Sequence, residues 1–105
     1  MQDDRKYTVR ISPRADTMMQ QHAIFLAQVS IPAAERLLKE YSEKLAELDH
    51  MPTRYPWLDD PNVPTGKYRK IILAKRYLVL FQIKGNIVFV DYAVDCRQKY
   101  QWLIE

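Results

Sequence analysis

The strongest constraint in this sequence is a change in the spacing of its apolar residues at Ser12-Pro13. From Lys6 to Ile11 apolar and polar residues alternate, which is the pattern of a half-buried strand. Serine is a favourable helix N-cap and proline fits the first helical turn, so the junction predicts a helix start. The apolar residues that follow recur at helical spacing: Ala15, Met18, Met19, His22, Phe25, Leu26 and Val29.

A second helix is predicted from Ser30-Ile31-Pro32 to about His50. Its apolar residues again recur every three or four positions: Ala34, Leu37, Leu38, Tyr41, Leu45 and Leu48. The junction between the helices is so short that they must be antiparallel. Residues Pro52 to Gly66 contain four prolines and are expected to be an irregular connection, with Trp57 and Leu58 anchoring it to the domain.

Three strands are predicted after this connection, at Tyr68–Ala74, Tyr77–Ile83 and Ile87–Val94. The last two flank Gly85-Asn86, where glycine can adopt the positive φ of a tight hairpin. Lys75-Arg76 suits a two-residue turn poorly, so that connection is predicted to be longer. The expected fold is α+β: a strand, an antiparallel helix pair and a three-stranded antiparallel meander, with the helices packed on one face of the sheet.

Length and composition narrow the class of protein. A chain of 105 residues is expected to form a single domain, spanning residues 1–105. Its one cysteine, Cys96, cannot form an internal disulfide, and the sequence shows neither a signal segment nor an apolar run long enough for a membrane helix. A cytoplasmic protein that makes no membrane contact is therefore expected.

The charge is unevenly distributed along the chain. Residues 1–65 carry eight Lys/Arg and ten Asp/Glu, whereas residues 66–105 carry eight Lys/Arg and three Asp/Glu. A cationic C-terminal part suits a nucleic acid or an acidic protein partner. A solvated basic sheet edge that resists aggregation explains it equally well.

Side-chain alternation predicts which residues share a face of the sheet if both hairpin turns have two residues. The face expected under the helices contains Tyr68, Lys70, Ile72, Tyr77, Val79, Phe81, Ile83, Val88, Val90, Tyr92 and Val94. The face expected to be open contains Arg69, Ile71, Leu73, Leu78, Leu80, Gln82, Phe89, Asp91 and Ala93. So much exposed leucine indicates that a partner covers this face, or that the long connection or Tyr100, Trp102 and Leu103 fold over it.

Other residues with chemical potential have simpler structural explanations. His22 lies on the apolar stripe of the first helix and His50 near the end of the second, so neither is expected to be catalytic. Cys96 has no histidine near it in sequence, and Asp91 is expected to form a salt bridge with Arg69 or Arg97. With no clustered metal ligands and no glycine-rich phosphate loop, neither a metal nor a cofactor is expected.

Five segments carry a resemblance to a known family: residues 7–15 (YTVRISPRA), 32–38 (PAAERLL), 68–72 (YRKII), 76–79 (RYLV) and 94–98 (VDCRQ). In their order and spacing over nearly the whole chain they resemble the RelE/ParE toxins of bacterial type II toxin–antitoxin systems. The resemblance implies a toxin that is held inactive by a cognate antitoxin and has the same fold as the periodicity predicts.

The same resemblance leaves the cellular target open. RelE-like members cut mRNA on the ribosome and use Lys and Arg side chains on the sheet, whereas ParE-like members inhibit DNA gyrase. Carried over by position, two of the four cations of the RelE site fall on Arg69 and Arg97, and the other two fall on Ile71 and Leu78. Aliphatic side chains cannot stabilise the charge that develops on a phosphate.

The sequence therefore predicts a toxin without the full ribonuclease set. Two alternatives stay open: a ribosome-dependent endoribonuclease that uses Arg69 and Arg97, and an interaction module without toxicity. Contacts with the target or the antitoxin are expected from Arg69, Leu73, Arg76, Leu78, Leu80, Arg97 and Lys99.

Overall fold

The computed structural model describes residues 6–61 and 63–96. Two helices pack on one side of a four-stranded mixed sheet, so the predicted α+β class is confirmed. The elements follow the predicted order: β1 (Thr8–Ile11), α1 (Pro13–Ala27), α2 (Ile31–Ala46), a short 3-10 helix (Pro52–Arg54), β2 (Arg69–Leu73), β3 (Tyr77–Lys84) and β4 (Ile87–Asp95).

Both helices begin where their capping residues predict. The Ser12 hydroxyl oxygen accepts a hydrogen bond from the Ala15 amide at 2.9 Å, and the Ser30 hydroxyl oxygen accepts one from the Ala33 amide at 3.2 Å. The second helix ends at Ala46 and is shorter than expected.

Phe25 and Val29, near the end of the predicted apolar stripe of the first helix, are not part of the core. Phe25 and Val29 are 63% and 82% exposed. His22 already lies against Tyr77, which belongs to the last residue pair of β3 and β4. In the following turn Leu26 still packs against the core, whereas Phe25 is exposed to solvent.

The strands are arranged in the order β1-β4-β3-β2. β1 runs parallel to β4, and the other neighbours are antiparallel. Lys84 pairs with Ile87 across the turn at Gly85-Asn86, and Gly85 has a φ of 62°, so the predicted two-residue hairpin is confirmed.

The connection between β2 and β3 has three residues. Leu73 pairs with Tyr77, and Ala74 and Lys75 adopt φ values of 51° and 60° between them. The Glu40 carboxylate of α2 accepts a hydrogen bond from the Ala74 amide at 2.9 Å. The expectation of a longer connection is confirmed, and the added residue places the side chains of β2 on the opposite faces from those predicted.

A β-bulge changes the alternation of β4 as well. Leu80 pairs with Tyr92 but Phe81 pairs with Val90, which leaves Asp91 as the extra residue. After the bulge Ala93 packs in the core beneath the helices, whereas Val94 packs on the opposite side.

The predicted sorting of the two faces is therefore wrong for β2 and for the end of β4. Ile71 and Leu73, expected on the open face, are buried under the helices with Leu37, Tyr77 and Val79. Residues expected under the helices instead pack on the opposite side of the sheet: Tyr68, Tyr92 and Val94.

The second side of the sheet is covered by the long connection. Leu58 and Val63, which are 4% and 5% exposed, pack there against Leu78, Leu80 and Val94. Two segments of the chain were predicted as possible covers for this face, and the long connection is one of them. Tyr100, Trp102 and Leu103 lie outside the described residues.

Candidate functional site

Arg69 lies at the start of the edge strand β2, and its guanidinium is held by the connection that precedes the strand. Its Nη1 donates hydrogen bonds to the carbonyls of Thr53 at 3.1 Å and Tyr55 at 2.7 Å. The guanidinium carbon also lies 3.9 Å from the centre of the Trp57 ring. Two carbonyls and one aromatic face therefore fix Arg69, and the predicted Asp91 ion pair is not among its contacts.

Arg76 belongs to the turn between β2 and β3 and contacts the end of β4. Its Nε lies 3.1 Å from Oδ2 of Asp95, a largely buried carboxylate, and its guanidinium lies 5.2 Å from the centre of the Tyr77 ring. These contacts hold Arg76 at the rim of a groove between the turn and the helices.

The leucines expected to contact a partner are buried within the described chain. Leu73 and Leu80 are fully buried and Leu78 is 7% exposed, so the predicted open apolar face is wrong. Leu73 lies under the helices, and Leu78 and Leu80 lie under the long connection. The other two predicted contact residues, Arg97 and Lys99, lie outside the described residues.

The assumption that Arg69, Ile71 and Leu78 share an uncovered side of the sheet is also wrong. Ile71 is 2% exposed and packs beneath the helices, whereas Leu78 packs on the opposite side. Ile71 and Leu78 are aliphatic as expected, but both belong to the core and they do not line a common surface.

A groove of about 590 Å³ lies between α1, α2 and the β2–β3 turn. Its apolar wall is formed by Leu26, Ala33, Leu37, Ala74 and Tyr77. Its charged rim is formed by Arg36, Lys39, Glu40, Glu43 and Arg76. We call this surface the helix groove.

Asp91 at the bulge is the centre of a polar cluster. Its Oδ2 accepts hydrogen bonds from Gln82 Nε2 at 2.7 Å and from the Tyr68 hydroxyl at 3.2 Å. Its backbone carbonyl accepts from Ser12 and from Arg14, each at 3.2 Å. Burial and the Asp91 carboxylate together raise the pKa of Tyr68 well above its ordinary value, so this tyrosine is a hydrogen-bond donor and not a base.

The histidines and the cysteine have structural surroundings. His22 Nε2 lies 2.9 Å from the Ala93 carbonyl and its ring packs on Tyr77, as a core histidine does. His50 pairs with Lys6 in an isolated backbone bridge, and Cys96 is exposed. Within residues 6–61 and 63–96, no contact pairs Cys96 with either histidine.

Two features of these surfaces were not predicted from the sequence. Arg36, Lys39, Glu40 and Glu43 follow helical spacing and share one face of α2, which is a signal that the sequence contains. The packing of Arg69 on Trp57 has no such signal, because twelve positions separate the two residues and the connection between them is irregular.

Neither helix in the described part of the chain has the length and apolar character of a membrane-spanning segment. Among residues 6–61 and 63–96, no three His, Cys, Asp or Glu side chains come together as metal ligands would.

Comparisons with known proteins agree with this fold. A solved structure titled "Chromosomal ParDE TA system from P. aeruginosa" superimposes with a TM-score of 0.67 at 12% sequence identity, covering 88% of this chain and 98% of that one. No curated protein matches the sequence significantly. The family model described as "ParE toxin of type II toxin-antitoxin system, parDE" matches residues 9–98. The chain therefore belongs to the ParE toxin family of type II toxin–antitoxin systems.

Proposed function

We propose that this ParE-family toxin arrests growth by binding its cellular target, with DNA gyrase as the target class, and does not cut mRNA. The proposal rests on the residue type and the burial of two positions at which a RelE-type site has cations. They hold Ile71 and Leu78, which are 2% and 7% exposed and pack in separate parts of the core.

Phosphodiester cleavage needs fixed donors where negative charge develops, and one such donor typically changes the rate by about 10²–10³-fold. Arg69 is the cation of that set within the described residues, and its Nη1 is already bonded to two carbonyls. One remaining cation of that set supports binding of an anion better than it supports cleavage.

Induced expression without antitoxin tests toxicity, and a supercoiling assay with purified toxin tests the target. We expect growth arrest that the cognate antitoxin relieves, and inhibition of gyrase by the purified chain. Unchanged growth would instead identify an interaction module without toxicity. Growth arrest with unaffected supercoiling would show that the target is not gyrase.

The family implies a cognate antitoxin as partner, and we propose that the antitoxin docks in the helix groove. The groove joins an apolar wall to a rim with three cations and two carboxylates. Glu40 is already bonded to the Ala74 amide and Arg76 to Asp95, while Arg36 and Lys39 make no ion pair with the described residues. An amphipathic segment with carboxylates beside its apolar face fits this surface.

Charge reversal at the rim tests this docking site. Lys39→Glu should weaken antitoxin binding by roughly 1 kcal/mol, because the new carboxylate repels an acidic partner. Lys44→Glu makes the same change on α2 outside the groove and is the matched control. Isothermal titration calorimetry that finds equal affinities for the two variants would place the antitoxin elsewhere.

A further inference from the structure

A second concave surface lies on the side of β2 where the long connection meets the tip of the β3–β4 hairpin. It has a volume of about 320 Å³, at the lower end of the range for ligand sites. It is lined by Thr53, Trp57, Gly66, Lys67, Arg69, Gln82, Ile83 and Lys84. We call it the Trp57 pocket. Its residues are distinct from those of the helix groove.

The Trp57 pocket is cationic. Three of its lining residues are cations, and none of the lining residues in the described chain is acidic. Lys67 and Lys84 make no ion pair with any residue in the described ranges. Their ammonium groups lie instead over aromatic rings, at 5.5 Å from the centre of Tyr68 and 6.0 Å from that of Phe89.

Arg69 is positioned in advance for an anion. Its Nη1 is anchored to two backbone carbonyls, and its plane is held over the indole. The remaining guanidinium N–H groups donate to no other described residue. A guanidinium fixed in this way binds phosphate without losing side-chain freedom.

Trp57 adds an aromatic surface to the three cations of the pocket. It remains 49% exposed although Arg69 packs on it. Its backbone is fixed, because it pairs with Arg69 in an antiparallel bridge and the flanking Leu58 amide donates to the Tyr68 carbonyl at 2.7 Å. A large exposed indole on a rigid backbone can stack with a planar ring at little entropic cost.

We propose that the Trp57 pocket binds single-stranded nucleic acid, with a base stacked on Trp57 and backbone phosphates held by Lys67, Arg69 and Lys84. Cations that follow a backbone, combined with an aromatic stacking surface, are the general chemistry of single-strand binding. An acidic peptide would satisfy the cations but would leave the indole without a partner. Duplex DNA keeps its bases stacked and cannot present one to a pocket of this size. The proposal is independent of the proposed mode of toxicity.

Fluorescence anisotropy of a labelled oligothymidylate of about 12 nucleotides tests the proposal with the purified full chain. Each phosphate contact on a single strand contributes about 0.7 to the slope of log K against log salt. The double variant Lys67→Ala/Lys84→Ala should therefore bind more weakly and lower that slope by about 1.4. Lys44→Ala/Lys75→Ala removes the same charge at sites outside both concave surfaces and should leave the slope unchanged.

Stacking is tested at Trp57. Trp57→Ala should weaken binding at least about fivefold, while Trp57→Phe keeps an aromatic ring and should retain most of the affinity. Trp57→Phe also remains informative if the alanine variant fails to fold in circular dichroism. Equal losses in the two lysine variants, or full affinity in Trp57→Ala, would overturn the proposal. So would equal binding of an oligoglutamate peptide of the same charge, which would assign the pocket to acidic peptides.

Discussion

Ile71 and Ile72 are neighbours on β2 whose surroundings differ completely. Ile71 is 2% exposed and packs beneath the helices, whereas Ile72 is 55% exposed on the other side of the strand. The difference follows from the three-residue turn after Leu73, which sets the register of the whole strand. A substitution at each position therefore reports the register directly.

Ile71→Lys should lower the free energy of unfolding by about 3 kcal/mol or more, because it buries an unpaired charge in the core. Ile72→Lys is the matched control, and its effect should stay within about 0.5 kcal/mol. Urea unfolding followed by circular dichroism measures both. Equal destabilisation by the two variants would contradict the register.

Tyr41 predicts how stability depends on pH. Burial raises the pKa of Tyr41, and the Asp16 carboxylate, 2.7 Å from its hydroxyl, raises it further. The unfolded chain releases this proton near pH 10, whereas the folded chain retains it. Stability from Tyr41 is therefore fully present below about pH 10 and is lost as the pH rises above that value.

Tyr41→Phe removes this dependence and should flatten the loss of unfolding free energy above about pH 10. The variant should also be less stable near neutral pH by about 1 kcal/mol, because the hydrogen bond to Asp16 is lost. Urea titrations at several pH values measure both effects. An alkaline slope identical to that of the unaltered protein would contradict the assignment.

At the scale of elements, the sequence predicts what local chemistry determines. Ser12-Pro13 and Ser30-Ile31-Pro32 mark both helix starts, and Gly85-Asn86 marks the hairpin. The faces of the sheet depend on register, which one residue can reverse. Ala74 and Lys75 take positive φ although neither is glycine or asparagine, and the bulge at Asp91 contains no glycine. Lys75-Arg76 indicates a connection longer than two residues but not its exact length, and the bulge has no local signal, so the predicted faces were wrong for β2 and the end of β4.

The long connection acts as a third layer of the fold, covering the side of the sheet that faces away from the helices. Leu58 is 4% exposed and packs with Leu78 and Leu80. Leu58→Ala should therefore cost about 2–4 kcal/mol of unfolding free energy, as expected for a truncated core leucine. Val29→Ala truncates an 82% exposed side chain and is the control. A cost below about 0.5 kcal/mol for Leu58→Ala would show that the connection is not part of the core.

At the scale of the whole molecule, the fold is specified far more strongly than the site. A structure that shares 12% of residues with this chain still superimposes over 88% of it, because apolar periodicity and turn chemistry suffice to define the layers. The predicted toxin family is confirmed by a match over residues 9–98. Of the residues predicted to contact a partner, the leucines are buried in the core. Arg69 and Arg76 are anchored by contacts within the chain. Arg97 and Lys99 lie outside the described residues.

We propose that Ile71 and Leu78, at positions where a ribonuclease of the RelE type has cations, serve only as core residues in this toxin. Toeprinting of translating ribosomes with the purified protein tests it most directly. We predict full-length mRNA without cleavage in the ribosomal A site, at toxin concentrations that arrest growth when reached in cells. A-site cleavage by the purified protein that disappears in Arg97→Ala would instead identify the chain as a ribosome-dependent endoribonuclease.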